Sequence, residues 1–119
     1  MDLNLDSITV TNNEEAQRFE AQVDGLRAFL TYRRFQGRIV LKHTEVPAPL
    51  EGKGLAAKLA RTALDFARAN QLRVVSHCHY VSAFIREHAE YHDLVSADDL
   101  QKLLSLQRSN TPITNFCRE

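Results

Sequence analysis

The sequence predicts an α+β domain in which helices pack on a mixed sheet. Strand-like alternation of apolar and polar residues fills much of the first 46 positions. Apolar residues then recur at helical spacing from about residue 52 to residue 69, and a short β-branched segment with a further helical pattern follows. The predicted order of elements is therefore β-β-β-β-α-β-α.

The first strands are predicted from alternation and from turn residues. Residues 8–10 favour a short strand that ends at Asn12-Asn13, and residues 18–23 alternate with the period of a half-buried strand. Asp24-Gly25 is typical of a tight hairpin, after which a second alternating run covers residues 26–32. These short connections predict an antiparallel meander.

The sheet is predicted to contain one parallel pair. Gln36-Gly37 turns the chain into a β-forming run, residues 38–46, which Pro47 ends. The helix of residues 52–69 follows, and then residues 72–76 favour a buried strand. Because a helix joins these two strands, the second is expected to lie parallel to the first.

The C-terminal part predicts two shorter helices. Residues 80–88 have a helical apolar pattern, and Ser96 with Asp99 has capping-box spacing before a leucine-rich run. The polar tail from Ser109 is expected to fray. Residues 1–95 are predicted to form the main domain, and residues 96–119 a C-terminal helix and tail that pack on or extend from it.

Composition excludes several classes of protein. Lys plus Arg and Asp plus Glu number 15 each, so we expect no broad basic surface and no nucleic-acid partner. The absence of a long apolar run or a signal-like start predicts a cytoplasmic protein with no membrane partner. The two cysteines, Cys78 and Cys117, predict free thiols rather than a disulfide scaffold. We expect a monomer or a weak homodimer.

A glycine-rich turn precedes the long helix and indicates an anion site. Two glycines in such a turn let a ligand approach the backbone closely, and a helix N-terminus offers unpaired N–H groups. The alternative is an ordinary loop, since the third glycine of a dinucleotide site and the Gly-Lys-Ser/Thr of a P-loop are both missing. The turn reads Glu51-Gly52-Lys53-Gly54-Leu55-Ala56.

Three motifs occur in order along the chain: His43-Thr44-Glu45-Val46-Pro47, the glycine turn, and Cys78-His79-Tyr80-Val81 with Glu90-Tyr91 close behind. Together, over roughly residues 8–95, they resemble the small acetyltransferase-like branch of the GNAT N-acetyltransferase superfamily. The resemblance implies a GNAT-like mixed sheet that binds acetyl-CoA or CoA between two splayed parallel strands. It implies cofactor contacts at Val46 and at the six residues of the glycine turn.

The sequence departs from that family pattern in three places. Glu51 stands where Gln or Arg is usual, and we expect its carboxylate to point away from the phosphates. Only about six residues separate the first two strands, so the helices that wall the acceptor site in larger members are missing. The acceptor side should therefore be open to a small amine or to a protein or peptide amine. The predicted last helix, taken over residues 81–87, contains none of the Tyr that many relatives use to protonate the leaving thiolate.

Cys78 is the candidate catalytic residue that the resemblance implies. It follows the last predicted strand, and a protonated His77 or His79 nearby would favour its thiolate. The thiolate could attack the thioester, or the thiol could donate a proton to the departing group. The alternative is a buried, inert cysteine.

His43 and Glu45 form a second candidate catalytic pair. Two residues apart on a regular strand, they would share one face with Ile39 and could deprotonate an ammonium. A bulge in this strand, which the family usually carries, would change which side chains point inward and would make Thr44 the alternative.

A metal site is not predicted, because His77 and His79 should face away from Cys78 and no Cys-x-x-Cys occurs. Two functions remain open. The first is transfer of an acetyl group from acetyl-CoA to an amine; the second is a CoA-binding or partner-binding module with little or no turnover.

Overall fold

The computed structural model describes residues 8–105, and five of its strands form one mixed sheet in the order β1-β2-β3-β4-β5. Neighbouring strands from β1 to β4 are antiparallel, and β5 is parallel to β4. This confirms the predicted α+β class and the parallel pair. The strands are β1 (Val10–Asn13), β2 (Arg18–Val23), β3 (Leu26–Phe35), β4 (Arg38–Glu45) and β5 (Arg73–Ser76).

Three α-helices and two 3₁₀ segments complete the described part of the chain. The α-helices are α1 (Leu55–Ala69), α2 (His79–Glu87) and α3 (Ala97–Ser105), and the 3₁₀ segments are Ala48–Leu50 and Ala89–Leu94. The predicted cap of α3 is confirmed, since the backbone N–H of Asp99 donates to Ser96 Oγ at 3.2 Å. The predicted fraying from Ser109 falls outside the described residues.

The hairpins of the meander follow the predicted turn chemistry. Asp24 and Gly25 have φ of 52° and 80°, the positive pair that a two-residue hairpin turn requires. The connection from β1 to β2 is a turn over residues 14–17, so no helix lies between these strands. β1 itself begins two residues later than expected and includes Asn12 and Asn13.

The long helix α1 packs on one face of the sheet. The rings of Phe19 on β2 and Phe66 on α1 meet edge to face with centroids 5.5 Å apart. Burial of one leucine of this helix contributes about 1.5–3 kcal/mol to folding. On the other face, side chains such as Glu20, Phe29 and Val40 are half-buried. The buried residues of α1 are Leu55, Ala56, Leu59, Ala60, Ala63, Leu64 and Ala67.

Candidate functional site

The two parallel strands separate at one end, as the family resemblance implies. Pairing between β4 and β5 ends at Leu41 and Ser76, after which the His77 N–H donates to the Leu41 carbonyl at 2.8 Å. β4 continues to Glu45 beside β3, with which Glu45 pairs through Phe29. The last residues of β4 therefore extend past the pairing with β5, and a cleft opens between the two strand ends.

A cavity of about 210 Å³ lies beside this cleft, at the N-terminus of α1. Gly52 and Gly54 have φ of 78° and 86°, in the left-handed region that favours glycine. A Cβ atom at Gly52 would meet no atom within 4 Å, so the turn faces open space. The lining residues are Val46, Leu50, Gly52, Gly54, Leu55, Ala56, Ala57 and Tyr80.

The positive φ at both glycines also moves the start of the helix. The sequence predicted a start near Gly52, but Gly54 is the N-cap and α1 begins at Leu55. Its first turn contains no acidic side chain that would oppose a bound anion. The backbone N–H groups of the first turn of a helix have no partner within the helix, so they can hold phosphate oxygens.

Five of the seven predicted cofactor-binding residues line this cavity: Val46, Gly52, Gly54, Leu55 and Ala56. Glu51 and Lys53 are half-buried and are not among the lining residues. The backbone N–H of Glu51 closes the preceding 3₁₀ turn by donating to the Ala48 carbonyl at 3.1 Å. That the Glu51 carboxylate points away from the phosphates stays a prediction.

A larger cavity of about 440 Å³ lies elsewhere, on the outer strands, where Thr11, Glu20 and Arg27 contribute to its wall. It has no glycine turn and no helix N-terminus among its lining residues. The smaller cavity is the better candidate, because its backbone can bind an anion and because it adjoins the strand separation.

Cys78 lies between β5 and α2 with none of its surface exposed. It is the N-cap residue of α2, and its sulfur lies 3.4 Å from Thr44 Oγ1. The structure contains Cys78 in a disulfide, which contradicts the predicted free thiol. Cys117, the other cysteine of the sequence, is outside the described residues. The neighbouring His77 and His79 are exposed.

The structure contains the bulge in β4 that the family resemblance raised, so Thr44 takes the inward orientation instead of His43 and Glu45. Tyr32 pairs with Leu41 but Thr31 pairs with His43, so Lys42 is an extra residue and β4 has a bulge. Thr44 therefore follows Leu41 on the buried face, and His43 and Glu45 lie on the other.

On that face the two predicted catalytic residues contact each other. His43 Nε2 lies 3.3 Å from Glu45 Oε1, and the Glu45 side chain is 49% exposed. The His43 ring is also 6.3 Å from the Phe29 ring, measured between centroids. The structure brings Thr44, rather than this pair, to Cys78.

Tyr80 is a residue of the cavity wall that the sequence analysis missed. α2 spans His79–Glu87 and includes Tyr80, so the expected absence of a Tyr, which was taken over residues 81–87, is wrong. Burial raises the pKa of Tyr80, and the charge of Glu87 raises it further, so the phenol keeps its proton at neutral pH. The sequence did contain the information needed to find Tyr80, since the predicted helix of residues 80–88 already included it.

Between residues 8 and 105, no group of three or more His, Cys, Asp or Glu side chains could hold a metal ion. In the same part of the chain, none of the helices has both the length and the apolar character that crossing a bilayer requires.

Comparison with known proteins agrees with the fold. Residues 18–94 match the family model described as GCN5-related N-acetyl-transferase. Protein NATD1 of Bos taurus is 39% identical over 83 residues, which are 67% of this chain and 74% of the relative. Protein NATD1 of Homo sapiens is 36% identical over 83 residues, with the same two shares. The NMR solution structure of a GCN5-like protein from Staphylococcus aureus superposes with a TM-score of 0.60 and 26% identity, covering 74% of this chain and 87% of that one.

Proposed function

We propose that this chain, which belongs to the GCN5-related N-acetyltransferase family, transfers an acetyl group from acetyl-CoA to an amine. One observation carries the proposal. The glycine turn, the N-terminus of α1 and Tyr80 line one cavity beside the separated ends of β4 and β5. A cradle of N–H groups next to an open strand end suits a ligand that joins a pyrophosphate to an extended arm.

The cofactor fits the residues that are present. Gly52 leaves the backbone open for close approach of the pyrophosphate, and Gly54 has the left-handed φ that the turn requires. The apolar walls formed by Val46, Leu50 and Leu55 suit the methylene and dimethyl groups of the pantetheine arm. When bound, acetyl-CoA would supply the activated acetyl thioester.

The chemistry we propose for the chain uses Cys78 as the acetyl carrier. The reduced Cys78 thiolate bonds to the acetyl carbonyl carbon as the bond from that carbon to the CoA sulfur breaks. Tyr80, which keeps its proton at neutral pH, donates that proton to the departing sulfur and recovers one from solvent.

In the second step, the amine nitrogen bonds to the acetyl carbon of Cys78. The bond from that carbon to the Cys78 sulfur breaks, and the sulfur leaves as the thiolate. The proton that the amine loses passes to solvent. His43 and Glu45 have no role in this scheme, because they face away from the Thr44 side of β4.

The acceptor is an amine that approaches the open side of the sheet. Only residues 14–17 separate β1 from β2, so within residues 8–105 this connection supplies no helical wall beside the acceptor. A small amine and an exposed lysine or N-terminus of a protein both suit such a site.

A second function, a CoA-binding module with little turnover, is favoured by one specific observation. The Cys78 sulfur is in a disulfide and is fully buried, and in that state it has no thiolate to attack a thioester.

Mass spectrometry of the protein after complete reduction tests the two functions together. Incubation with acetyl-CoA alone should add one acetyl group on Cys78, and a later addition of mixed amines should remove it and give acetylated amine. The Cys78→Ala variant should show neither change and should still bind CoA. Binding of CoA without either change would favour the module, and the absence of CoA binding would overturn both proposals.

A further inference from the structure

We propose that Thr44 is a positioning residue for Cys78, whose sulfur it holds in place and whose thiolate it stabilises by donating a hydrogen bond. The value of this contact for acetyl transfer rests on the function proposed above. The contact itself is a property of the folded chain, and it can be measured without any cofactor.

Thr44 is a polar residue in a buried position. Within residues 8–105, Thr44 and Ser82 are the two buried polar side chains, and Thr44 has no exposed surface. A buried hydroxyl costs free energy unless it has a hydrogen-bond partner. Thr44 Oγ1 lies 3.4 Å from Cys78 Sγ, within the longer range of bonds to sulfur. A valine would fill the same volume without a polar atom, so the hydroxyl needs a reason other than packing.

The bulge in β4 places Thr44 in this position. Without the extra residue Lys42, strict alternation after Leu41 would turn His43 toward the core and Thr44 away from it. The bulge therefore places the small hydroxyl of Thr44, rather than the large titratable ring of His43, beside the sulfur.

The backbone of Cys78 is held by hydrogen bonds. Its carbonyl accepts a bond from Ser76 Oγ at 3.1 Å and another from the Ser82 N–H at 2.9 Å. The hydroxyls of Ser76 and Ser82 lie 2.8 Å apart. This pair of serines joins β5 to α2 and fixes the main chain, so the sulfur meets Thr44 at a set position.

These contacts have different chemical consequences. The serine pair contacts the carbonyl of Cys78 and leaves the sulfur alone. The Thr44 hydroxyl can donate to the sulfur in its disulfide or thiolate form, and donation to the ionised form is the stronger bond. The loss of Thr44 should therefore disfavour the thiolate, whereas the loss of Ser82 should weaken the fold without that effect.

The test measures thiolate formation by ultraviolet absorbance against pH in reduced protein. All variants carry Cys117→Ser, so that Cys78 is the single thiol that contributes. Thr44→Val should reduce the thiolate-to-thiol ratio at a given pH by about three- to tenfold, which moves the titration midpoint upward. Thr44→Ser should titrate like the parent, because it keeps the hydroxyl.

Ser82→Ala is the matched control, since it removes the other buried hydroxyl near Cys78. It should lower the melting temperature and leave the titration midpoint unchanged. Thr44→Ala provides a second test should Thr44→Val fold poorly, and it should move the midpoint in the same direction. A midpoint equal to that of the parent in a folded Thr44→Val or Thr44→Ala variant would overturn the proposal. Because the assay contains no acetyl-CoA, a protein without transferase activity can still pass it.

Discussion

The two ends of α1 differ in what they contact. At its N-terminus, Gly52 and Gly54 line a cavity, and the first turn has no acidic side chain. From the middle of α1 to its C-terminus, Arg61, Asp65 and Arg68 all bond to the 3₁₀ segment Ala89–Leu94. One end leaves its polar groups open to a ligand, and the other satisfies them within the chain. The N-terminus of α1 is therefore suited to ligand binding, and the rest of the helix stabilises the fold.

The contacts at the C-terminal half are specific in geometry. The Tyr91 hydroxyl donates to Asp65 Oδ1 at 2.8 Å and accepts from Arg61 Nη1 at 3.2 Å. Arg68 binds both carboxylate oxygens of Asp93, at 2.9 Å and 3.0 Å, and donates to the Glu90 carbonyl at 2.6 Å. Bidentate pairs of this kind fix an orientation as well as a distance.

The largest expected effect is at the N-terminus of α1, in the variant Gly52→Val. Its side chain would project into the open space before the turn and block close approach of a phosphate. CoA at a hundredfold excess over Kd should stabilise the wild type by about 2.7 kcal/mol, and this gain should vanish in the variant. Thermal unfolding with and without CoA measures both values.

Gly25→Val is the matched control for that variant. Gly25 also has positive φ, 80° against 78° at Gly52, and a Cβ there also meets nothing within 4 Å. Both substitutions should therefore cost about 1–3 kcal/mol of backbone strain. An equal loss of the CoA effect in both variants would show that strain, rather than the blocked turn, is the cause.

The prediction of the fold from sequence succeeded where the signal is local. Asp24-Gly25 specifies its own turn, and the alternation around Phe19 specifies which side of β2 is buried. The long helix was found because its apolar residues repeat over four turns, although the left-handed Gly54 moved its start.

The candidate site was harder to predict, because it depends on shifts of one residue. Lys42, His43 and Thr44 are all polar, so the sequence shows no periodicity that reveals the extra residue in β4. The bulge nevertheless places Thr44, rather than His43, beside Cys78. Similarly, Tyr80 was missed because the Tyr was looked for in residues 81–87, whereas α2 begins at His79.

A smaller effect is expected where the C-terminal part of α1 contacts the 3₁₀ segment Ala89–Leu94, in the variant Tyr91→Phe. The ring stays packed, but Asp65 and Arg61 lose their shared hydroxyl in a partly buried position. The free energy of unfolding should fall by about 1–2 kcal/mol, as measured by urea denaturation. The CoA-induced stabilisation should be unchanged. A clear loss of CoA binding would mean that the two ends of α1 are coupled, contrary to the separation argued above.

The smallest effect concerns Asp93, whose pKa is lowered by its hydrogen bonds to Arg68. The same pair raises the pKa of Arg68 through its bond to Asp93, so the two directions agree. A carboxylate with a lowered pKa in the folded state contributes stability above its unfolded pKa and loses it as pH falls through the folded value. Asp93→Asn should therefore be slightly less stable than wild type at neutral pH, and the difference should shrink as the solution becomes acidic. Because both side chains are largely exposed, high salt should also shrink the difference. Chemical denaturation at neutral and acidic pH, each at low and high salt, measures the difference in the free energy of unfolding. A difference that grows in acid would mean that Arg68 and Asp93 do not stabilise the fold through their charges.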